Sequence, residues 1–278
     1  MALYTMAEIL ADAQKRGYGA GFFNGVNQEM IRAYIRAAND CRSPIIIGTA
    51  EGLLKYSDFD WLAPLLLDAA ARAKVPVAVH LDHTYTYKTI MRALRAGFGS
   101  VMYDGSLLSY EENIRDSAEI AKAAHAMGAG LECELGKVGG LDEGEGVKGG
   151  NIYTDPGEAF EFVERSGADF LAVSIGTVHG EYRETPRLDL ARLAAIRAKV
   201  KCPLVLHGGS GLSDDDFRNC IQGGIRKVNI YTDIITAAAG AIRKDTSLAY
   251  TDLNEKAEQA MYEAAVKKLR IFGSDNKY

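Results

Sequence analysis

No stretch of this 278-residue sequence is apolar over the ~20 residues that a bilayer-spanning helix needs, and no signal-peptide pattern opens it. Those absences predict a soluble, cytoplasmic protein with no membrane partner. Basic residues are not in excess either. With 32 Lys+Arg against 37 Asp+Glu the net charge is −5, the wrong sign for a nucleic-acid footprint. Cysteine is sparse: Cys41, Cys133, Cys202 and Cys220 form no Cys-x-x-Cys motif, so neither a zinc knuckle nor a disulfide frame is indicated. Reduced, mostly buried thiols are expected. Histidine is rare as well, with five in the whole chain.

What the chain does have is apolar content and a repeating pattern. At 47% hydrophobic residues it can bury a full core, and α/β barrels reach this length as one unit. Short apolar runs at 19–24, 44–49, 75–82, 100–104, 130–135, 170–175, 203–207 and 227–230 each lead into polar or glycine-rich residues. Helical patterns follow at 28–39, 61–73, 87–96, 109–127, 155–164, 188–199, 214–222 and 234–244. Continuous runs, unlike alternating ones, are expected of parallel strands covered on both faces. Ser213 with Asp216 makes a capping-box-like helix start. Eight such units predict a (β/α)8 TIM barrel, one domain over 1–278, with an extra C-terminal helix at 253–269. The face of that helix around Tyr262 packs either on the barrel or on a partner subunit.

Catalytic residues of such barrels lie at the C-terminal ends of the strands. Asn24, Asp82, His83, Asp104, Glu134, His179, His207 and Asn229 all fall at or just past the ends of runs. Three histidines with an open position are what a catalytic zinc needs, which makes His83, His179 and His207 the candidate ligands of one divalent ion. The alternative is three separate structural histidines. Asp82 is placed to move a proton on a bound substrate or to orient an imidazole. Asp104 and Glu134 offer an alternative metal position or hydrogen bonds to the ligands. His80, inside its run, reads as a buried supporting residue, and His125 as an ordinary helix histidine.

Residues 136–151 are glycine-rich, carry acids and follow the fifth run, the pattern of a lid that delivers a carboxylate or of a plain surface loop. The seventh run leads into His-Gly-Gly-Ser-Gly at 207–211, and the eighth into Asn-Ile-Tyr-Thr-Asp at 229–233. Loops after the last two strands of a barrel commonly bind phosphate through backbone N–H groups and helix N-termini. Gly180, Gly208, Ser210 and Thr232 would serve there. A metal that polarises a carbonyl, a phosphate site and proton-transfer carboxylates together describe an aldol reaction.

These residues resemble the class II, metal-dependent ketose-bisphosphate aldolases, the family of the fructose- and tagatose-1,6-bisphosphate enzymes. The similarity runs from the N-terminus to Phe-Gly-Ser at 272–274. It rests on His-Leu-Asp-His at 80–83, Leu-Glu-Cys-Glu-Leu-Gly at 131–136 with Gly139 and Gly140, Ile-Gly-Thr-Val-His-Gly at 175–180, 207–211, and Lys-Val-Asn-Ile-Tyr-Thr at 227–232. The resemblance implies zinc on His83, His179 and His207, and Asp82 as acid/base at the C4 hydroxyl. It implies that Gly180, Gly208, Ser210, Asn229 and Thr232 surround the dihydroxyacetone phosphate moiety. It further implies a monovalent cation (Na+ or K+) near the phosphate, and a homodimer or homotetramer.

The departures from the family pattern are informative. Where the family carries the lid glutamate that deprotonates dihydroxyacetone phosphate, this chain has Asp142, with Glu143 beside it. Thr84 follows His83 where the family prefers a smaller residue or His. Ala50, with Thr49, replaces the serine that helps to bind a distal phosphate. Asp-Leu-Asn at 252–254 replaces Asp-Pro-Arg, and Tyr231 stands where family members have Asp or a small residue. These changes concern the aldehyde half of the substrate, so an unusual aldehyde, one without a terminal phosphate, is expected. Two other readings fit the same scaffold, a metal-dependent sugar-phosphate isomerase or epimerase and a non-catalytic sugar-phosphate binder. A Schiff-base aldolase is disfavoured, because the sixth run offers no lysine and Lys227 begins the eighth run, at the wrong end of the barrel.

Overall fold

A computed structural model describes residues 3–136, 139–140, 153–179 (the backbone alone at 139–140 and His179), 186–244 and 246–278. Its elements are α1 (Met6–Arg16), β1 (Ala20–Asn24), α2 (Gln28–Cys41), β2 (Ile45–Ala50), a 3-10 turn (Glu51–Leu53), α3 (Phe59–Arg72), β3 (Val77–Thr84) and α4 (Tyr87–Ala96). Next come β4 (Ser100–Tyr103), α5 (Tyr110–Ala126), β5 (Gly130–Leu135), β6 (Gly139–Gly140), α6 (Pro156–Ser166), β7 (Phe170–Val173), β8 (Val178–His179) and α7 (Leu190–Lys199). The chain ends with β9 (Leu204–Leu206), α8 (Asp214–Gln222), β10 (Ile225–Ile230), α9 (Thr232–Lys244) and α10 (Tyr250–Ile271). Eight parallel strands close a barrel in the order β1-β10-β9-β7-β5-β4-β3-β2, and β6 pairs with β8 in a separate two-stranded ladder. The expected (β/α)8 barrel is therefore present, with element bounds within three residues of those read from the sequence.

The apolar runs are continuous because each strand is covered twice. One parity of residues, such as Phe23, Ile45, Ile47, Val77, Val79 and Leu81, packs outward against the helices. The other parity faces the barrel interior, where Ala20, Phe22, Ile46, Ala78, Phe170, Ala172 and Val205 form a second apolar cluster. Strand approach is close enough that a Cβ on Gly48 would meet the His80 carbonyl oxygen at 1.8 Å, so only glycine fits there.

The sequence reading passed over α1. Met6, Ile9, Leu10 and Ala13 of this helix join the interior cluster and close the barrel at the N-terminal ends of the strands. Its signals are a capping box of Thr5 with Glu8, a 3.6-residue apolar period, and Gly17 at φ 72 beyond its end. At the other end of the chain, α10 packs along α2 and α9. Tyr262 donates a hydrogen bond to Asp40 (3.0 Å) and lies under the Arg36 guanidinium, 3.9 Å from its ring centroid, so this face packs on the barrel's own helix layer.

Candidate active site

Above its apolar floor the interior parity turns ionisable. Three strands carry polar residues two apart, His80 and Asp82 on β3, Glu132 and Glu134 on β5, and Lys227 and Asn229 on β10. Two-residue spacing puts both members of each pair on the same face. All six are buried.

Asp82 is clamped. Asn24 donates Nδ2–H to one carboxylate oxygen (2.9 Å), and Asn229 donates Nδ2–H to the other (3.0 Å). The carbonyl oxygens of both asparagines are buried and find no hydrogen-bond partner among the described residues. Burial alone would raise the Asp82 carboxyl, but the surrounding His83, Lys227, His207 and His80 outweigh it and hold the group well below the usual carboxylate range.

His83 follows Asp82 and by strand alternation should face outward. It does not, because its backbone is left-handed (φ 34) and the β3–β4 register shifts between Leu81 and Thr84. This turns its ring to 4.4 Å from that of His207, with Nδ1 3.0 Å from Asp104 Oδ2. A non-glycine residue in such a conformation costs about 1–3 kcal/mol, and strain of this kind clusters where function needs it.

Sequence reasoning missed Glu132 beneath the site, and it misplaced Lys227. That residue is the third of β10, not the start of the strand, and its side chain runs up inside the barrel. Its ammonium pairs with Glu132 (2.8 Å), lies 3.9 Å from Asp82 Oδ1 and sits over the Phe22 ring at 4.5 Å. The other carboxylate oxygen of Glu132 meets His207 Nε2 at 2.8 Å. His207 Nδ1 faces Glu134 Oε2 at 3.0 Å. His80 packs edge-on to Phe22, with Nδ1 2.8 Å from Ser100 Oγ and Nε2 3.5 Å from Glu132. His125 lies away from this network, exposed on α5 and paired with Asp169 (2.8 Å).

The charges follow from this packing. Burial would lower the His207 imidazole, but Glu132 and Glu134 raise it to about 10. Burial likewise opposes protonation of His83, where Asp82 and the Asp104 hydrogen bond prevail and raise it. Burial and then Lys227 depress His80 to about 3, so it is neutral. Glu132, despite burial, is held near 2 by Lys227 and His207, and Asp104 is lowered mainly by its hydrogen bond to His83. Glu134 moves the other way, raised by burial and by the Asp104 charge.

Two overlapping donor groups suit a divalent ion. Asp82, His83 and His207 bring ligand atoms within 4.8 Å of one another, and so do His83, Asp104 and Glu134. Imidazole nitrogens with carboxylate oxygens are a fitting set for Zn2+, whose charge would replace the protons on the two imidazoles. The side chain of His179, Gly180, Asp142 and Glu143 lie outside the described residues.

The loops expected to hold phosphate sit on neighbouring strands, β9 and β10. Gly208 has φ 63, and a Cβ there would meet Val178 O at 2.5 Å, so the loop lies against β8 only because it is glycine. Ser210 Oγ accepts from the Asp233 N–H in the first turn of α9 (3.3 Å), which joins the two loops, and Thr232 opens the same helix. Ala50 ends β2, Tyr231 is half-buried between β10 and α9, and 252–254 lie in the first two turns of α10.

Comparison with known proteins agrees with this geometry. Residues 4–277 match the family model described as fructose-bisphosphate aldolase class-II. A fructose-bisphosphate aldolase of Thermus caldophilus is 37% identical over 98% of both chains. A sulfofructosephosphate aldolase of Alkalicoccus urumqiensis is also 37% identical, over 100% of this chain and 99% of that protein. The crystal structure of the YdjI aldolase from Escherichia coli K12 superposes with a TM-score of 0.91 at 36% identity, covering 99% of each chain.

Proposed function

The chain belongs to the class II fructose-bisphosphate aldolases, metal-dependent carbon–carbon lyases that act on sugar phosphates, and from that premise we propose a specific reaction for it. It uses one Zn2+ to cleave a ketose 1-phosphate or 1,6-bisphosphate reversibly into dihydroxyacetone phosphate and an aldehyde. The observation that carries this reading is the meeting of Asp82, His83 and His207 within 4.8 Å at the mouth of the barrel. His83 and His207, with His179 from the family pattern, would hold the ion, and Asp104 and Glu134 support it or offer a second position. When bound, the ion polarises the ketose carbonyl.

Asp82 begins ionised, so in the cleavage direction it accepts the C4 hydroxyl proton as the C3–C4 bond breaks, and in condensation it returns that proton. Its two amide partners fix its plane, and their buried carbonyl oxygens are acceptors for substrate hydroxyls. Asp142 or Glu143 exchanges the proton on the dihydroxyacetone phosphate carbon. Gly180, Gly208, Ser210, Asn229 and Thr232 hold its phosphate, with a Na+ or K+ ion nearby. The whole chain, 1–278, acts as one catalytic domain in a cytoplasmic homodimer or homotetramer. Relatives of equal identity bear names of different ketose phosphates, so family membership does not set the aldehyde. Ala50, Tyr231 and Asn254 support an aldehyde without a terminal phosphate.

The test is release of dihydroxyacetone phosphate from ketose 1-phosphates and fructose 1,6-bisphosphate by the zinc-loaded protein. Activity lost to a chelator and restored by zinc is expected. Conversion to an isomeric sugar phosphate with no three-carbon product would overturn the reading.

A further inference from the structure

The helix added beyond the eight strand-helix units carries a buried charge that the steps above do not use. Lys268 lies on α10, 8% exposed, and its ammonium pairs with the Asp233 carboxylate at 2.5 Å. The same ammonium sits over the Phe217 ring of α8, 4.4 Å from its centroid. Both partners lead to the loops that end β9 and β10. Asp233 stands in the first turn of α9 and donates its N–H to Ser210 Oγ (3.3 Å). Phe217 is fully buried and packs against the β9 loop, where a Cβ on Gly209 would come 3.1 Å from its ring and 3.1 Å from the Asn229 carbonyl oxygen. On its other side Phe217 meets Phe272, with ring centroids 5.2 Å apart. Lys268 therefore reaches the two loops from behind, out of the helix layer.

Without that ammonium, Asp233 would be at odds with its place. A substrate phosphate held by Ser210 and Thr232 stands beside a residue that is bonded to the one and adjacent in sequence to the other. A carboxylate there repels a second anion, and the repulsion is strong where bulk water is kept away. Lys268 removes the conflict in two ways. It cancels the charge, and it draws the carboxylate toward Phe217 and the helix layer. We propose that Lys268 is a positioning residue for the phosphate-bearing half of the substrate, which makes the loops after β9 and β10 receptive to a dianion by holding and neutralising Asp233. The inference rests on the aldolase reading and deepens it at the phosphate. It also gives α10 a part in binding, through two side chains, although the helix lies outside the barrel.

Steady-state condensation of dihydroxyacetone phosphate with D-glyceraldehyde, and with its 3-phosphate, by the zinc-loaded protein tests this. Lys268→Met removes the charge from a side chain of similar length, and is expected to raise KM for dihydroxyacetone phosphate by about tenfold with kcat within about threefold. Asp233→Asn keeps the N–H and leaves Lys268 uncompensated, so that KM should fall by about threefold. The double variant should bring KM back to within about twofold of the wild type, because the two residues act as one pair. A pair that serves only to hold the fold would lower stability in Asp233→Asn without tightening the substrate. If Lys268→Met does not fold, Asp233→Asn decides alone. An Asp233→Asn protein whose KM is unchanged or raised overturns the inference, as does a folded Lys268→Met protein with the wild-type KM, and in both cases the aldolase reading stands. Failure of the wild type to form a ketose phosphate with either aldehyde overturns the aldolase reading and this inference with it.

Discussion

Lys227, Glu132 and His207 form a buried relay in which a full positive charge fixes a carboxylate, and the carboxylate fixes an imidazole. With Nε2 engaged by Glu132, His207 presents Nδ1 toward Glu134 and the mouth. Such outer partners of metal-binding histidines govern affinity, and their loss typically costs 10- to 100-fold. Glu132→Gln is therefore expected to weaken zinc binding by roughly that factor, measured by competition with a chromophoric chelator. Lys227→Met strands the Glu132 charge in the interior and should destabilise the fold by about 3–5 kcal/mol in urea, more than Lys227→Met combined with Glu132→Gln. A double variant as unstable as the single would count against the ion pair. Single residues were unevenly legible. Asp82, His207 and Asn229 stand out because polar groups end apolar runs. Glu132 is just as readable by its two-residue offset from Glu134 and was missed for want of that test. The inward turn of His83 depends on a register shift that no local pattern reveals.

At the scale of elements, the strand-helix repeat was readable because doubly covered parallel strands are apolar on both parities. α1 precedes the first strand and belongs to no βα unit, so counting units passed it by despite its capping box. Its contribution is packing. Leu10 is fully buried against the inner faces of the strands, and Leu10→Ala should cost about 2–5 kcal/mol, read by chemical denaturation. A loss below ~0.5 kcal/mol, the range of ordinary surface changes, would mean that α1 does not close the barrel.

The whole molecule stacks two interiors in one barrel, apolar below and ionisable above. Clustering Asp82, Glu132, Glu134, His83 and His207 out of water opposes folding, and a bound cation offsets that opposition. Zinc at a hundredfold excess over its Kd adds about 2.7 kcal/mol of stability. For a chain of this size that raises Tm by roughly 5–10 °C, reversed by a chelator and readable by differential scanning calorimetry. A melting temperature indifferent to both would count against a metal at this site. The floor made by α1 also governs traffic. With α1 packed under the strands, on the proposed reaction substrate and both products would share the opening at the C-terminal ends of the strands. On the proposed reaction, an aldehyde held outermost would leave before dihydroxyacetone phosphate, and condensation would load the two in the opposite order.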